Sequence, residues 1–259
     1  MERQHAPKLF VNGTVQSGLH LAGSLAAGLP RMVEPRWLNP WQDDVYAVFK
    51  RMSPGDICCG HVPYRPELKR HLDEKRIRRL FIFRDPRDMI VSLAQYLTDP
   101  RNAHPHSRYF TEHVKDDGER LMMLIAGFYE TKEIAERYGH ASLGYGDIVS
   151  HYMPYLKWME DAGAHAIRYE ELAFETTNSR ERIADMIEYV LEGTALSKQA
   201  MGELAESAMR RLAPLRSPDG TADGPGSWKR HFSEAHKTAF KALAGDLLIY
   251  LGYEQDLSW

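Results

Sequence analysis

Four short stretches carry residue types able to do chemistry. Gly60-His61-Val62-Pro63-Tyr64 follows an apolar run. A histidine placed there can take a proton from an acceptor hydroxyl, because its ordinary pKa lies close to neutrality. The chain has twelve histidines, so a structural or solvent-facing role is the competing reading. Gly13-Thr14-Val15-Gln16-Ser17-Gly18-Leu19-His20 also follows an apolar run. Its glycines and the helix expected after it would aim backbone N–H groups at an anion, with the helix dipole adding to the attraction. The stretch lacks the Gly-Lys-Ser/Thr ending of a nucleotide-triphosphatase P-loop. A tight strand-to-helix turn that needs glycine accounts for it equally well.

The third stretch, Arg84 to Ser92, begins where another apolar run ends. Arg84 at a strand end and Ser92 two helical turns later can face one crevice, offering a guanidinium fork and a hydroxyl to one phosphate. The plainer alternative pairs Arg84 with Asp85 or Asp88 and leaves Ser92 as a small packing residue. The fourth is Gly226-Ser227-Trp228-Lys229, followed by Phe232. Anchoring of a helix by Trp228 and Phe232 is its plainer reading.

The elements that must position these residues follow from the pattern. Leu9-Phe10-Val11 reads as a buried strand closed by an Asn12-Gly13 turn, with a helix from Gly18 to Leu29 stopped by Pro30. Apolar positions between Asp43 and Met52 recur at helical spacing, and Asp56 to Gly60 is a short strand. Pro66 suits the first turn of a helix running towards Lys75. Leu80 to Phe83 is the clearest buried strand, and the helix after Asp85-Pro86 should end near Leu97. Helices are expected over Gly118–Tyr138, Gly146–Ala162, Ser179–Leu191 and Ser197–Leu212, with a strand over His165–Tyr169. Ser233 should cap a last helix that ends at Gly252. Thr98–Asp117 and Pro214–Gly226 read as long loops and as mobile lids. Strands alternating with helices imply a single α/β domain over residues 1–259, a parallel sheet flanked by helices. Ligands of such sheets bind beyond the carboxyl ends of the strands.

Bulk properties exclude several classes. At 259 residues and 43% hydrophobic the chain can bury a sizeable core, and its formal net charge of -3 argues against a general nucleic-acid binder. The two cysteines, Cys58 and Cys59, are adjacent, which excludes a disulfide framework and a thiolate zinc site. A reducing compartment fits them. The polar start and the lack of a long apolar stretch lead to the expectation of a cytoplasmic protein without a membrane partner.

The order and spacing of these stretches resemble the PAPS-dependent sulfotransferases, which use 3′-phosphoadenosine 5′-phosphosulfate (PAPS) and have a fold related to P-loop kinases. The resemblance covers the chain from Leu9 to Phe232. The family's Pro-Lys-Ser-Gly-Thr loop, which holds the 5′-phosphosulfate, is matched by Val15-Gln16-Ser17-Gly18-Leu19, with His20 following. Its 3′-phosphate motif, Arg and Ser eight residues apart, is matched by Arg84 and Ser92. The catalytic histidine in a Thr-His-Leu-Pro setting is matched by His61, and a Tyr-Glu-Asp/Glu-Leu segment near adenine by Tyr169-Glu170-Glu171-Leu172. The late Gly-Asp-Trp-Lys motif is matched by Gly226-Ser227-Trp228-Lys229. The resemblance implies PAPS as donor, 3′,5′-adenosine bisphosphate (PAP) as product, a small-molecule acceptor, no metal, and a homodimer as the assembly to test.

Three departures stand out. The family's loop lysine is Gln16, a second lysine two residues before the histidine is Cys59, and an Arg-Lys-Gly run before the late motif has no ungapped counterpart. Arg216 takes that last role only if the loop carries an insertion. The lysine position bears on catalysis, because removing one preorganised donor at a leaving group typically costs about 3–4 kcal/mol. Lys229, Arg87 or a protonated His20 are the candidates for compensation. Two readings follow: a working sulfotransferase in which His61 is the general base and Gln16 serves at the leaving group, or a PAPS- or PAP-binding protein with weak or lost transferase activity. A nucleotide kinase would need the missing lysine and a magnesium ligand. Trp37, Trp41, Tyr64, Tyr96, Tyr109 and Phe110 are candidate walls for a small, partly apolar acceptor carrying a hydroxyl, such as a bacterial secondary metabolite. Core packing and loop anchoring is the competing reading for these aromatics.

Overall fold

The computed structural model describes residues 6–39, 43–102, 104–174, 178–193, 196–213 and 224–259. Along the chain the elements are β1 (Lys8–Gly13), α1 (Leu19–Ala27), β2 (Arg36–Trp37), α2 (Val45–Lys50), β3 (Ile57–Gly60), α3 (Pro66–Glu74) and β4 (Ile77–Phe83). Next come α4 (Pro86–Thr98), α5 (Ser107–Glu112), α6 (Asp117–Ala126), β5 (Phe128–Tyr129), α7 (Lys132–Arg137), β6 (Gly144–Tyr145) and α8 (Ile148–Leu156). The last are β7 (Ala164–Arg168), α9 (Tyr169–Ala173), α10 (Ser179–Leu191), α11 (Lys198–Leu212), α12 (Trp228–His231) and α13 (Glu234–Tyr250). They form two compact units, one from residues 1–84 and 154–224, the other from 85–153 and 225–259.

The first unit holds a five-stranded, all-parallel sheet in the order β2-β3-β1-β4-β7. The sheet is parallel and covered, so its strands are apolar on both faces. Leu9, Val11, Ile57, Cys59, Leu80, Ile82 and Ile167 point to the face covered by α1, α10 and α11. On the other face Phe10 packs edge-on against Phe49 and Trp158, with ring centroids 4.9 and 6.1 Å away. Strand order reverses at β1, whose neighbours are β3 and β4. A crevice opens at such a reversal, beyond the carboxyl ends of the strands.

In the second unit α4 packs against α5, α6 and α12, and α13 against α6, beside the antiparallel pair β5–β6. Three expectations are corrected in this unit. The helix expected over Gly118–Tyr138 stops at Ala126, because Gly127 takes φ 77°, ψ 163°, outside the helical region, and the chain turns into β5. The stretch expected as a long loop from Thr98 to Asp117 contains α5, which buries Tyr109 and Phe110. Helix α8 is also shorter than expected and carries Pro154 near its end. In the first unit β1 runs through Asn12 to Gly13 instead of turning there, β7 ends at Arg168, and Tyr169 opens α9. Most of the expected Pro214–Gly226 loop, with Arg216, lies outside the described residues, as does Trp41. Among the described residues no helix is long and apolar enough to cross a membrane.

Candidate active site

Three neighbouring strands of the first unit deliver their carboxyl ends side by side. The loop after β1, His61 after β3 and Arg84 after β4 therefore gather at one edge of the sheet. Within the loop, Ser17 N–H and Oγ–H both donate to the Thr14 carbonyl, at 3.2 and 2.6 Å, closing a tight turn. Gly18 caps α1 in the left-handed region, at φ 77°, ψ 32°. A Cβ there would stand 2.3 Å from the Tyr169 ring, so glycine serves both the backbone angle and the close approach. Gln16 is itself left-handed, with φ 56°. Leu19 enters the core and can offer an anion only its backbone. Thr14 Oγ1 is buried without a hydrogen-bond partner among the described residues. That orphaned hydroxyl and the free N–H groups at the start of α1 fit an anionic group in the loop.

Arg84 joins this loop to the far side of the site. Its guanidinium donates to the Gln16 carbonyl at 3.2 Å and lies over the Tyr169 ring, 4.4 Å from the centroid. Tyr169 is thus wedged between the Gly18 backbone and the guanidinium.

His61 is half-buried beside the same loop, and its Nδ1 lies 2.8 Å from the Gly13 carbonyl oxygen. A carbonyl only accepts, so Nδ1 carries the proton and Nε2 is the basic nitrogen. Burial lowers the imidazole pKa, with the Gly13 hydrogen bond opposing it. The ring is therefore neutral and ready to accept a proton near pH 7. Around it, Asn12 and Val62 exchange two hydrogen bonds of 2.9 Å, and Trp158 Nε1 donates to the Val62 carbonyl at 3.0 Å. Cys59, where the family places its second lysine, is a buried thiol whose pKa burial pushes up to about 12. It is neutral and holds no charge for the site.

The second unit contains the remaining motif residues. Asp85 caps α4 and grips Arg87 through both carboxylate oxygens, at 3.0 and 2.7 Å. Arg87 also donates to Glu254 at 2.5 Å, and its guanidinium lies 4.1 and 4.5 Å from the Trp228 and Trp259 centroids. Only 3% exposed, Arg87 is a structural clasp and not the compensating cation considered from sequence. Asp88, 1% exposed, accepts from Gly226 N–H at 2.7 Å, Ser227 Oγ–H at 2.8 Å and Trp228 N–H at 2.8 Å. Ser227 thus spends its hydroxyl proton on Asp88, and Trp228 is packed inside. Lys229, next in the chain, is exposed. Ser92 is half-buried on α4, one turn beyond Asp88.

Other sequence candidates fall elsewhere. His20 sits on an exposed position of α1, and partial desolvation lowers its pKa, which disfavours a protonated ring. Tyr109 and Phe110 are 1% and 0% exposed and belong to the core of the second unit, so they are not acceptor walls. Sequence reasoning places Asn12 in a turn and Asp88 in an alternative pair with Arg84, and misses the hydrogen bonds they make. Asn12 directly follows the apolar run Leu9–Val11 within β1, and that is the signal that could have marked it; Asp88, beside Arg87 on α4, offers no such signal.

A family model described as the sulfotransferase domain matches residues 34–249. Among curated protein sequences none matches the chain significantly. The fold is similar to that of mouse sulfotransferase SULT7A1 complexed with PAP, at a TM-score of 0.58 and 15% identity over 96% of this chain and 84% of that one. It is also similar to retinol dehydratase in complex with androsterone and inactive cofactor PAP, at 0.51 and 13%, over 96% and 81% of the two chains. With the strand-end loops of a parallel sheet supplying its candidate site and the family model spanning residues 34–249, the chain belongs to the sulfotransferase domain family.

Proposed function

We propose that the chain moves a sulfuryl group from PAPS to a hydroxyl of a small molecule, such as a bacterial secondary metabolite, and releases PAP. The observation that carries this reading is the His61 hydrogen bond to the Gly13 carbonyl, which leaves Nε2 as the base beside the loop after β1. The acceptor O–H proton passes to Nε2 and the oxygen attacks sulfur. The bond from sulfur to the bridging phosphate oxygen breaks, and its electron pair stays on that phosphate. Backbone N–H groups of the Gln16–Leu19 turn, Ser17 and the N-terminus of α1 receive the 5′-phosphosulfate. Arg84 and Ser92 receive the 3′-phosphate, with Tyr169 beside the adenosine and the Gly226–Lys229 turn as a further contact.

A second reading is favoured by one observation: Gln16 and Cys59 put neutral groups where the family has lysines. Under it the protein binds PAPS or PAP with weak or lost transfer. The deciding experiment incubates the protein with PAPS and a panel of phenols, alcohols and amines, following PAP release. Acceptor-dependent PAP formation that His61→Ala abolishes supports the transferase. Tight PAP binding with no transfer to any acceptor supports the binding protein.

A further inference from the structure

We infer that Asn12 is a positioning residue for His61, acting as a side-chain rung that continues the pairing of β1 with β3 past its last backbone pair. The regular register ends with Asn12 opposite Gly60. Beyond that point the regular pairing of β3 with β1 has ended, and the last residue of β1, Gly13, is paired with Ile82 of β4 on the other side. The Asn12 side chain supplies the missing partner. Its amide has the donor and acceptor of a peptide group, and both are used on one residue: Nδ2 donates to the Val62 carbonyl and Oδ1 accepts from the Val62 N–H, each at 2.9 Å. Asn12 is only 2% exposed, so both groups would be costly to leave unpaired.

The consequence falls on the neighbouring residue. With Val62 held by Asn12, His61 is fixed one residue away from the clamp, and its Nδ1–H meets the carbonyl of Gly13, itself one residue from Asn12. Two adjacent residues of one strand thus hold two adjacent residues of the next segment, and the ring has one tautomer and one orientation. Trp158 Nε1 and Tyr155 Oη add donors to the Val62 and His61 carbonyls, at 3.0 and 3.4 Å, from the chain beyond Pro154. They steady the loop, but only Asn12 of these addresses the donor and the acceptor of the same peptide strand. Aspartate cannot replace it, since a carboxylate would face the Val62 carbonyl with lone pairs.

The catalytic meaning of the clamp rests on the reading of His61 as general base, whereas the clamp itself can be seen directly. In protein labelled with ¹⁵N-histidine, the His61 ring of the wild type should show a protonated Nδ1 and a bare Nε2. Asn12→Ala should turn this signal into an exchanging mixture of tautomers. Turnover with a competent acceptor should fall by about ten-fold or more, the scale at which misplacing a reacting group is felt. Calorimetric affinity for PAP should stay within about two-fold, because Asn12 touches no proposed nucleotide ligand. In a His61→Ala background, Asn12→Ala should cost no further turnover. If Asn12→Ala does not fold, Asn12→Ser, whose hydroxyl reaches at most one of the two backbone groups, takes its place. An unchanged tautomer signal in the folded variant overturns the clamp. So does an equal loss of turnover with and without His61. If His61→Ala alone retains turnover, the general-base reading fails, and the tautomer spectrum still decides whether Asn12 sets the ring.

Discussion

The Arg84 guanidinium donates a hydrogen bond to the Gln16 carbonyl at 3.2 Å, which puts a fixed positive charge against the loop that lacks the family's lysine. A guanidinium remains charged at any working pH, whereas burial lowers the pKa of His20 and the Arg87 guanidinium is held by Asp85 and Glu254. That hydrogen bond goes to the loop's backbone carbonyl, and the side chain of residue 16 itself is neutral. Gln16→Lys should therefore raise turnover with a competent acceptor by at least about ten-fold, equivalent to roughly 1.4 kcal/mol of barrier. Donor affinity should move much less, since the added charge acts mainly on the developing leaving group. Steady-state rates at saturating PAPS check this. No gain would mean that an existing cation already serves the leaving phosphate.

Under the proposed function, Arg84 selects for a doubly phosphorylated nucleotide. Arg84→Ala should weaken PAP binding by about 1.5–3 kcal/mol, the scale of a hydrogen bond to a charged group. Binding of 5′-AMP should weaken less. Calorimetry with both nucleotides is the measurement, and equal losses for the two would assign Arg84 to the loop alone.

Burial holds the His61 pKa below the ordinary histidine value of 6.5. As a base the ring works neutral, so the acid limb of kcat/KM should lie below 6.5, with activity full above it and lost as pH falls through the folded pKa. Stability carries the same sign, since the neutral buried ring is favoured above its unfolded pKa and must charge below the folded one. His61→Ala should cut turnover by about a hundred-fold or more and remove the limb, leaving PAP affinity nearly unchanged. A pH–rate profile of wild type and variant tests both statements.

Asp88 predicts an asymmetric substitution. In Asp88→Asn the amide oxygen can still accept from Ser227 and Trp228, but the new N–H₂ faces the Gly226 N–H, donor against donor. The expected loss is about 1–3 kcal/mol in urea unfolding, the cost of one unsatisfied buried group. Asp88→Ala strands all three donors and should lose more. Burial raises the Asp88 pKa while its three donors oppose this, so its contribution is full below the ordinary carboxylate value and declines as pH rises through the raised one. Replacing it should flatten that part of the stability–pH curve.

Much of the sheet was legible because buried parallel strands are continuous apolar runs: Leu9–Val11 and Leu80–Phe83 announce β1 and β4 without help from neighbours. Pro66 at the start of α3 and Ser233 before α13 are likewise local signals, and the structure uses both as expected. The two-residue strand β2 was not legible, since Arg36 and Trp37 are too few for any period and are ordered by pairing with Cys58 and Cys59. Nor was α5, whose six residues hold only two buried side chains. In the site, His61, Arg84 and the Gly13–Gly18 loop stood out because each follows an apolar run. The groups that hold them did not, because Asn12 meets Val62 across 50 positions and Asp88 meets Gly226 across 138. Such distances lie beyond any local pattern.

The Asp88 latch has a consequence for the order in which the molecule can be made. When α4 leaves the ribosome, the three donors that will satisfy its buried carboxylate do not yet exist. They are separated from it by 138 positions, including the return of the chain through β7, α10 and α11 in the other unit. At about 5–20 residues per second, Asp88 waits on the order of ten seconds for Gly226 to appear. During that interval the first unit can complete its sheet as soon as β7 arrives, whereas α4 carries an unmatched charge. The second unit should therefore close last, and a nascent chain stalled before Gly226 should show the sheet protected and α4 still open to proteases.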